Sequence, residues 1–260
     1  MACYRPRFLK MNGRNSFVYL LAVVFLFSSC QDPVGKVRMH FTFSVEGKSL
    51  EQDTLMYQNE AGNRYEVTEA QYFISNVILT NSNGDQYEIK SDRSAHYIDA
   101  DLPYTLTWAP EDEFPAGTYS TISLVFGLAP ELNVSHRYTD APENNMSWPA
   151  ALGGGYHHMK INGRWMDEEG VAHPFNLHMG RTITAARDTL ENSFTVTLPL
   201  NRFTISKAEV ADITLDMNIN RWFCSPYIFD FNQFGGSIMQ NQAAQEVLKA
   251  NGWDVFVIAE

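Results

Sequence analysis

The chain has 260 residues, 45% of them hydrophobic, and a formal net charge of −11 at pH 7. This length suffices for one large domain or two smaller ones with a buried core. The excess of acidic over basic side chains argues against nucleic acid as a partner.

The first 29 residues have the pattern of a bacterial export signal. Four basic residues precede an apolar run from Phe17 to Phe27, which Ser28, Ser29 and Cys30 follow. A cysteine after two small residues predicts cleavage before Cys30 and lipidation of its thiol. The apolar run is shorter than the roughly 20 residues that span a bilayer. We therefore expect a lipoprotein signal peptide at residues 1–29, a lipidated tether at 30–36 and one domain at 37–260, held in the cell envelope by the lipid alone, at the outer membrane.

Removal of residues 1–29 takes away four basic and no acidic residues, which leaves 15 basic against 30 acidic and a net charge of −15. Cys3 leaves with the signal and Cys30 is predicted to be acylated, so Cys224 remains without a partner for an intramolecular disulfide. A buried structural role is the first interpretation of Cys224, and a reactive thiol is the second.

After the tether, short alternating segments rich in β-branched and aromatic residues recur between turn signals. Examples are "VRMHFTFSV", "YSTISLVFGL", "PFNLHMG" and "SFTVTLPL", with "SNGD", "PAGT" and "DEEG" as turns. The pattern predicts an all-β fold, a single antiparallel β-sandwich. Only "TEAQYFISN" and "GSIMQNQAAQEVLKANG" resemble helices, and the first could instead enter a strand.

Residues 128–155 form the exception, a stretch of 28 residues without a clean strand pattern. Long loops of this kind are usually functional or disordered, and Met146 and Trp148 favour function. The glycines that end at Gly155 predict a sharp turn into a strand that begins at Tyr156.

The histidines are the remaining candidates for functional side chains, because no GxSxG, HExxH, GxGxxG or P-loop motif is present. Imidazole binds copper, zinc, nickel or iron without first losing a proton at pH 7. On a strand, His157 and His158 would face opposite ways, so one of them should face solvent, and His157 would share its face with Met159. Hydrogen bonding of these histidines within an ordinary sheet is the alternative interpretation. His178 and His40 each adjoin a methionine and could serve as donors from other strands, whereas His136 and His173 are expected to be structural.

The ordered series "YQNEAGNRYEVTEAQYFISNVILTNSNG", "FPAGTYSTISLVFGL", "NNMSWPAALGGGYHHMKINGRW", "FNLHMG" and "NGWDVFVI" resembles the MbnP-like family of secreted copper-binding proteins over nearly all of residues 37–260. Its most specific parts are the Tyr72–Asn76 segment, Met146 and Trp148 ahead of Gly155 and Tyr156, and the His-x-Gly at His178 and Gly180.

The resemblance implies a β-sandwich with one copper site that has histidine ligands, at which His40 and His96 are the best-fitting positions. It also implies that a tryptophan can become a kynurenine ligand through a dihaem peroxidase-like partner, although no tryptophan lies near His40 in the sequence. Phe43 stands where related sequences carry the first histidine, and the displacement to His40 changes the face of the strand.

Three classes of function remain open at this point. The first is copper sequestration or delivery without catalysis. Its candidate ligands are His40, His96, His157 and His178, and it would involve a copper-handling partner protein. The second is a surface adhesion module that recognises a protein or glycan through Trp148 and its loop. An enzyme is third, because no pair of carboxylates stands out at a catalytic spacing.

Overall fold

The computed structural model describes residues 32–184, 186 and 188–259, so the predicted signal peptide and Cys30 lie outside the described residues. The strands are β1 Val34–Val45, β2 Lys48–Ser49, β3 Tyr57–Gln58, β4 Arg64–Asn81, β5 Gln86–Glu88, β6 Ala95–Asp99, β7 Thr107–Trp108, β8 Phe114–Pro115, β9 Gly117–Phe126, β10 Met159–Met166, β11 Ala172–Met179, β12 Thr182–Ile183, β13 Thr189–Leu190, β14 Phe194–Ile205, β15 Val210–Asn218 and β16 Phe256–Ala259. The α-helices are α1 Phe231–Phe234 and α2 Gln242–Asn251. Short 3₁₀ segments occupy Asp92–Ser94, Pro103–Leu106, Glu143–Met146, Ala150–Leu152, Ile219–Phe223 and Gly252–Asp254.

Two sheets pack face to face. One has the order β16-β15-β1-β2, with β7 and β8 also paired to β1, and the other has the order β11-β10-β4-β9-β14, with β3, β5 and β6 also paired to β4. All of these pairings are antiparallel except β1 with β15. The predicted antiparallel β-sandwich is confirmed, with one parallel pairing inside it.

Alternation along the strands builds the core between the sheets. On β1, Phe41 and Phe43 are buried while Arg38 and Thr42 face solvent. Phe43 meets Tyr72 of the opposite sheet edge to face, with ring centroids 5.8 Å apart. Burial of such aromatic side chains contributes about 1.5–3 kcal/mol each relative to exposure.

Strand β4 is buried on both of its faces near its middle. Tyr72 and Ile74 point into the main core, whereas Phe73 belongs to a second, smaller cluster. That cluster, here called the loop core, consists of Phe73, Ala95, Tyr97, Leu128, Met146 and Tyr156. The loop of residues 128–155 therefore folds back onto the outer face of the second sheet and does not extend into solvent.

The two helix-like sequence stretches have different structures. The segment "TEAQYFISN" is part of β4, while the C-terminal stretch forms α2 as predicted. The side chain of Asn241 accepts a hydrogen bond from the amide of Ala244 at the start of α2 and so caps the helix. No helix within the described part of the chain has the length and apolar character needed to cross a bilayer.

Candidate metal centre

The glycine-rich turn ahead of the histidines is held by the loop. Gly155 has φ +83°, and a Cβ there would lie 2.2 Å from Oδ1 of Asn133, so this position requires glycine. The amide of Tyr156 donates to that same Oδ1 at 2.7 Å. The Tyr156 hydroxyl accepts from the amide of Tyr138 at 2.7 Å and donates to its carbonyl at 3.1 Å. The tight turn at Gly155 and the hydrogen bonds of Tyr156 therefore join the end of the loop to its first half, at Asn133 and Tyr138.

The strand begins at Met159 and not at Tyr156, which changes the predicted orientation of the two histidines. Neither faces solvent: the exposed fraction is 5% for His157 and 0% for His158. Met159 packs in the main core, so the predicted pairing of His157 with its thioether is wrong. Strict alternation fails here because residues 156–158 follow the loop before the regular ladder starts.

His157 makes two hydrogen bonds to one carbonyl oxygen. Its backbone amide donates to the carbonyl oxygen of Met146 at 2.7 Å, and its Nδ1 contacts the same oxygen at 2.8 Å. A carbonyl oxygen can only accept, so Nδ1 carries the proton and Nε2 keeps its lone pair. Nε2 is buried and has no hydrogen-bond partner. An unpartnered buried nitrogen is costly, and a bound metal would satisfy it.

A hydrogen bond to Asn162 on the neighbouring strand fixes the ring of His178. The side-chain nitrogen of Asn162 donates to Glu69 Oε2 at 2.6 Å, which orients the amide so that Oδ1 faces Nε2 of His178 at 2.8 Å. Nε2 of His178 therefore donates, and Nδ1 keeps the lone pair. Hydrogen bonds of this kind commonly orient histidines that bind metals.

The rings of His157 and His178 lie against each other, and Trp148 packs on His157. The centroids of His157 and His178 are 5.0 Å apart with the planes at 88°, and those of Trp148 and His157 are 4.6 Å apart at 81°. Gly180 makes this packing possible, because a Cβ there would lie 2.5 Å from the indole of Trp148. Loop, β10 and β11 thus converge on one pair of imidazoles.

Both rings are neutral at physiological pH. Burial lowers the pKa of His157 to about 3, although its hydrogen bond to Met146 acts in the opposite direction. Burial and the nearby ammonium of Lys160 lower the pKa of His178 to about 4. Neutral imidazoles are ready to coordinate a metal ion without releasing a proton.

His158 has a separate, structural environment. Its Nδ1 accepts from the amide of Leu128 at 3.3 Å, and its Nε2 lies 3.6 Å from Oε2 of Glu191. Burial lowers the pKa of His158 more strongly than Glu191 raises it. Arg181 donates to the same carboxylate at 2.5 Å. This group of side chains ties the loop to the segment that follows β11.

His40 and His96 are engaged elsewhere. His40 lies on the outer face of β1, opposite to the face of Phe43, where its Nε2 contacts Asp212 at 2.7 Å. The Nε2 of His96 donates to the carbonyl of Thr105 at 2.8 Å. The His96 ring stacks on that of Trp108, with ring centroids 5.1 Å apart. Trp108 pairs with the buried Met39 across the β1–β7 ladder, whereas His40 pairs with Thr107, so Trp108 and His40 lie on opposite faces of the sheet.

The four predicted ligands are therefore not gathered at one point. Of these four, His157 and His178 lie ring to ring. Within the described ranges, no group of three or more His, Cys, Asp or Glu side chains could hold a metal ion. The candidate centre is a pair of histidines.

Trp148 does not form a surface for recognition. Its side chain is 4% exposed, and its Nε1 donates to the carbonyl of Leu152 at 3.2 Å. The Trp148 side chain is therefore buried and does not itself offer an apolar surface to a partner. Cys224 is half-buried, and burial raises the pKa of its thiol, in agreement with a structural role.

Sequence reasoning missed Asn162 and Lys160, which surround His178. The turn "DEEG" could have identified both residues, because a hairpin that turns there pairs Lys160 with His178. Asn162 is then the diagonal neighbour of His178, within reach of its ring.

Comparisons with known proteins agree with this architecture. The MbnP family model matches residues 34–241. The solved structure of MbnP from Methylosinus trichosporium is similar in fold, with a TM-score of 0.53 and 15% sequence identity, over 75% of this chain and 79% of that chain. No curated protein shows a significant match. The family match covers most of the chain and includes His157, His178 and the strands β10 and β11, and the chain therefore belongs to the MbnP family.

Proposed function

We propose that this protein binds copper at His157 and His178 and acts in sequestration or delivery, not in catalysis. The observation that carries the proposal is the pair of adjacent imidazoles whose other nitrogens are already engaged by Met146 and Asn162. The arrangement leaves Nε2 of His157 and Nδ1 of His178 as the free donors.

The donor set fits copper. Imidazole nitrogen suits this ion, and copper stands above zinc in the general order of affinities for divalent metals. The family resemblance to secreted copper-binding proteins supports copper over other ions. Bound copper would be held in a site from which water is largely excluded, which suits storage or transfer.

Export and lipidation at Cys30 complete the proposal. They would place the copper site in the cell envelope at the outer membrane, where a copper-handling or dihaem peroxidase-like protein could act as a partner. The sequence pattern of residues 17–30 supports this location.

The test is the copper content and affinity of the purified protein after copper loading. Near-stoichiometric copper is expected in the wild-type protein and in a His40→Gln, His173→Gln control, because both of these histidines contact aspartates elsewhere. A His157→Ala, His178→Ala variant should lose it. Retention of copper by this variant together with its loss from a His40→Ala, His96→Ala variant would show that the histidine pair is not the site.

A further inference from the structure

An apolar groove opens between the two sheets at the edge of the sandwich that β14 and β16 form. Its volume of 690 Å³ lies within the range of about 300–1,000 Å³ that is typical of small-molecule sites. Because β16 is short, it pairs with β15 only from Thr214 to Met217, and within the described residues it leaves the first part of β15 uncovered on that side. In the second sheet β14 is the edge opposite to β11, so the groove is separate from the histidine pair.

The inner wall of the groove is apolar. Leu198 and Leu200 of β14, Ile213 of β15 and Phe256 of β16 line it, and each is at most 8% exposed. Trp253 lines one end and is 61% exposed, so its indole lies at the mouth of the groove. An alkyl chain bound along this wall would lose its contact with water, which is favourable.

The charged side chains of the groove are acidic. Among the described residues that line it, Asp212 and Asp254 are the acids, and none is Lys, Arg or His. Asp212 is already engaged by Arg38, at 2.6 and 3.0 Å, and by His40 at 2.7 Å. Asp254 is less well compensated, because Arg221 approaches its Oδ2 only at 3.4 Å and its Oδ1 is buried without a hydrogen-bond partner. A positive ligand group is therefore favoured beside Asp254, whereas a negative one would meet no basic side chain in the lining.

Trp253 and Asp254 are adjacent in the 3₁₀ segment Gly252–Asp254. The face of an indole attracts quaternary ammonium and protonated amine groups, and a neighbouring carboxylate strengthens this attraction. The indole Nε1 donates to the carbonyl of Ser225 at 3.2 Å, which orients the ring. This end of the groove thus has the chemistry of a site for an organic cation.

An added β-strand would fit this edge poorly. Pro199 of β14 has no N–H group to donate, and the pairing of β14 with β9 is interrupted between Pro199 and Phe203, where Arg202 has φ +54°. Prolines and irregular pairing of this kind protect an edge from strand addition. The groove therefore fits one small molecule better than an extended peptide.

We propose that the groove is a second binding site, independent of the copper function, for a free single-chain amphiphile with a cationic head group. The alkyl chain would lie along Leu200 and Phe256, and the quaternary ammonium or protonated amine would lie at Trp253 and Asp254. A cavity of this volume holds one molecule, which distinguishes it from a surface patch that contacts a membrane.

The test is calorimetric titration with dodecyltrimethylammonium and with dodecanoate, each below its critical micelle concentration. The two probes have the same alkyl length and opposite head charges. We expect dodecyltrimethylammonium to saturate at one molecule per protein and to bind about tenfold more tightly than dodecanoate. Asp254→Asn should reduce this difference. Glu168→Gln, which removes an exposed carboxylate from the turn between β10 and β11, should preserve it.

A blocked groove tests the location of binding. Ala259 lines the groove at an exposed position of β16, so Ala259→Trp would fill part of the groove without entering the core. Val210 is exposed on the neighbouring strand β15 and does not line the groove, so Val210→Trp is the matched control. Binding of dodecyltrimethylammonium should be lost in the first variant and retained in the second.

Four outcomes would overturn the proposal. Equal or tighter binding of dodecanoate would contradict the cationic ligand class. Unchanged binding by Ala259→Trp, or binding that does not saturate, would indicate nonspecific association with the acidic surface. Binding that begins only above the critical micelle concentration would mean that the protein recognises a micelle or membrane surface. Absence of binding by either probe would exclude the site, and none of these results bears on the copper function.

Discussion

The imidazole rings of His157 and His178 meet edge to face, with centroids 5.0 Å apart, although 20 residues and a hairpin turn separate them in the chain. Each ring has one nitrogen already hydrogen-bonded, His157 to a loop carbonyl and His178 to an amide on the neighbouring strand. The free nitrogens therefore belong to two independently positioned elements, and each element can be perturbed separately.

Replacement of Asn162 by leucine should weaken copper binding. The leucine cannot accept the hydrogen bond from Nε2 of His178, so the ring loses its fixed orientation and tautomer. Loss of such a supporting contact typically costs 10- to 100-fold in metal affinity. A competition assay with a copper chelator measures the effect. Asn176 is the register partner of Asn162 and is exposed, so Asn176→Leu serves as the matched control and should bind as the wild-type protein does.

The stability of the metal-free protein should decrease as the pH falls below about 6.5. Burial lowers the pKa of His157 from 6.5 to about 3, so over this interval the unfolded chain takes up a proton that the folded chain does not. The contribution of one such histidine to the slope of the unfolding free energy approaches about 1.4 kcal/mol per pH unit.

A His157→Gln variant should show a flatter pH dependence by about this amount, since its amide can still donate to Met146 but does not titrate. Urea unfolding between pH 4.5 and pH 8 measures the slope. Above pH 7 the histidine is neutral in both states, so the two proteins should have the same slope there. Equal slopes at pH 5 as well would contradict the assignment of His157 as a buried neutral ring.

Introduction of a methyl group at position 180 should destabilise the protein and reduce copper affinity. The Cβ of Gly180→Ala would overlap the indole of Trp148 and displace the ring that packs on His157. Overpacking of this kind costs about 1–3 kcal/mol. Gly117→Ala is the control, because a Cβ there meets no atom within 4 Å, and its stability should stay within about 0.5 kcal/mol of the wild-type value. Thermal unfolding of both variants measures the loss of stability, and copper titration measures the loss of affinity.

The thiol of Cys224 should react slowly with iodoacetamide. Burial raises its pKa, which reduces the thiolate fraction at pH 8, and the thiolate is the reactive form. We expect alkylation about tenfold slower in the folded protein than in urea, measured by mass spectrometry over time. A folded-state rate equal to the unfolded one would indicate a reactive thiol.

Much of the fold could be predicted from local patterns. Alternation identified β1, β9, β11 and β14 because each has one face on the core and one in solvent. The helix α2 was predicted by its composition, and the cap at Asn241 agrees with it. The middle of β4 was ambiguous because it is buried on both faces, which removes the alternation that marks a strand.

The site could be predicted only in part. His157 and His178 were recognised as candidates by residue type, but their contact depends on where regular pairing starts, at Met159, and this start depends on the loop. The contacts of His40 with Asp212 and of His96 with Thr105 join residues from distant or irregular segments. No local pattern reveals such contacts, because they depend on how the sheets are assembled.

The two hydrogen bonds from His157 to the carbonyl oxygen of Met146 couple the candidate metal centre to the loop. If residues 128–155 open locally, the ring of His157 loses its anchor while the ladders of both sheets remain intact. The lifetime of a bound ion would then depend on the free energy of this local opening, which is smaller than that of global unfolding. A protein that contacts the loop could release the metal without disturbing the sandwich.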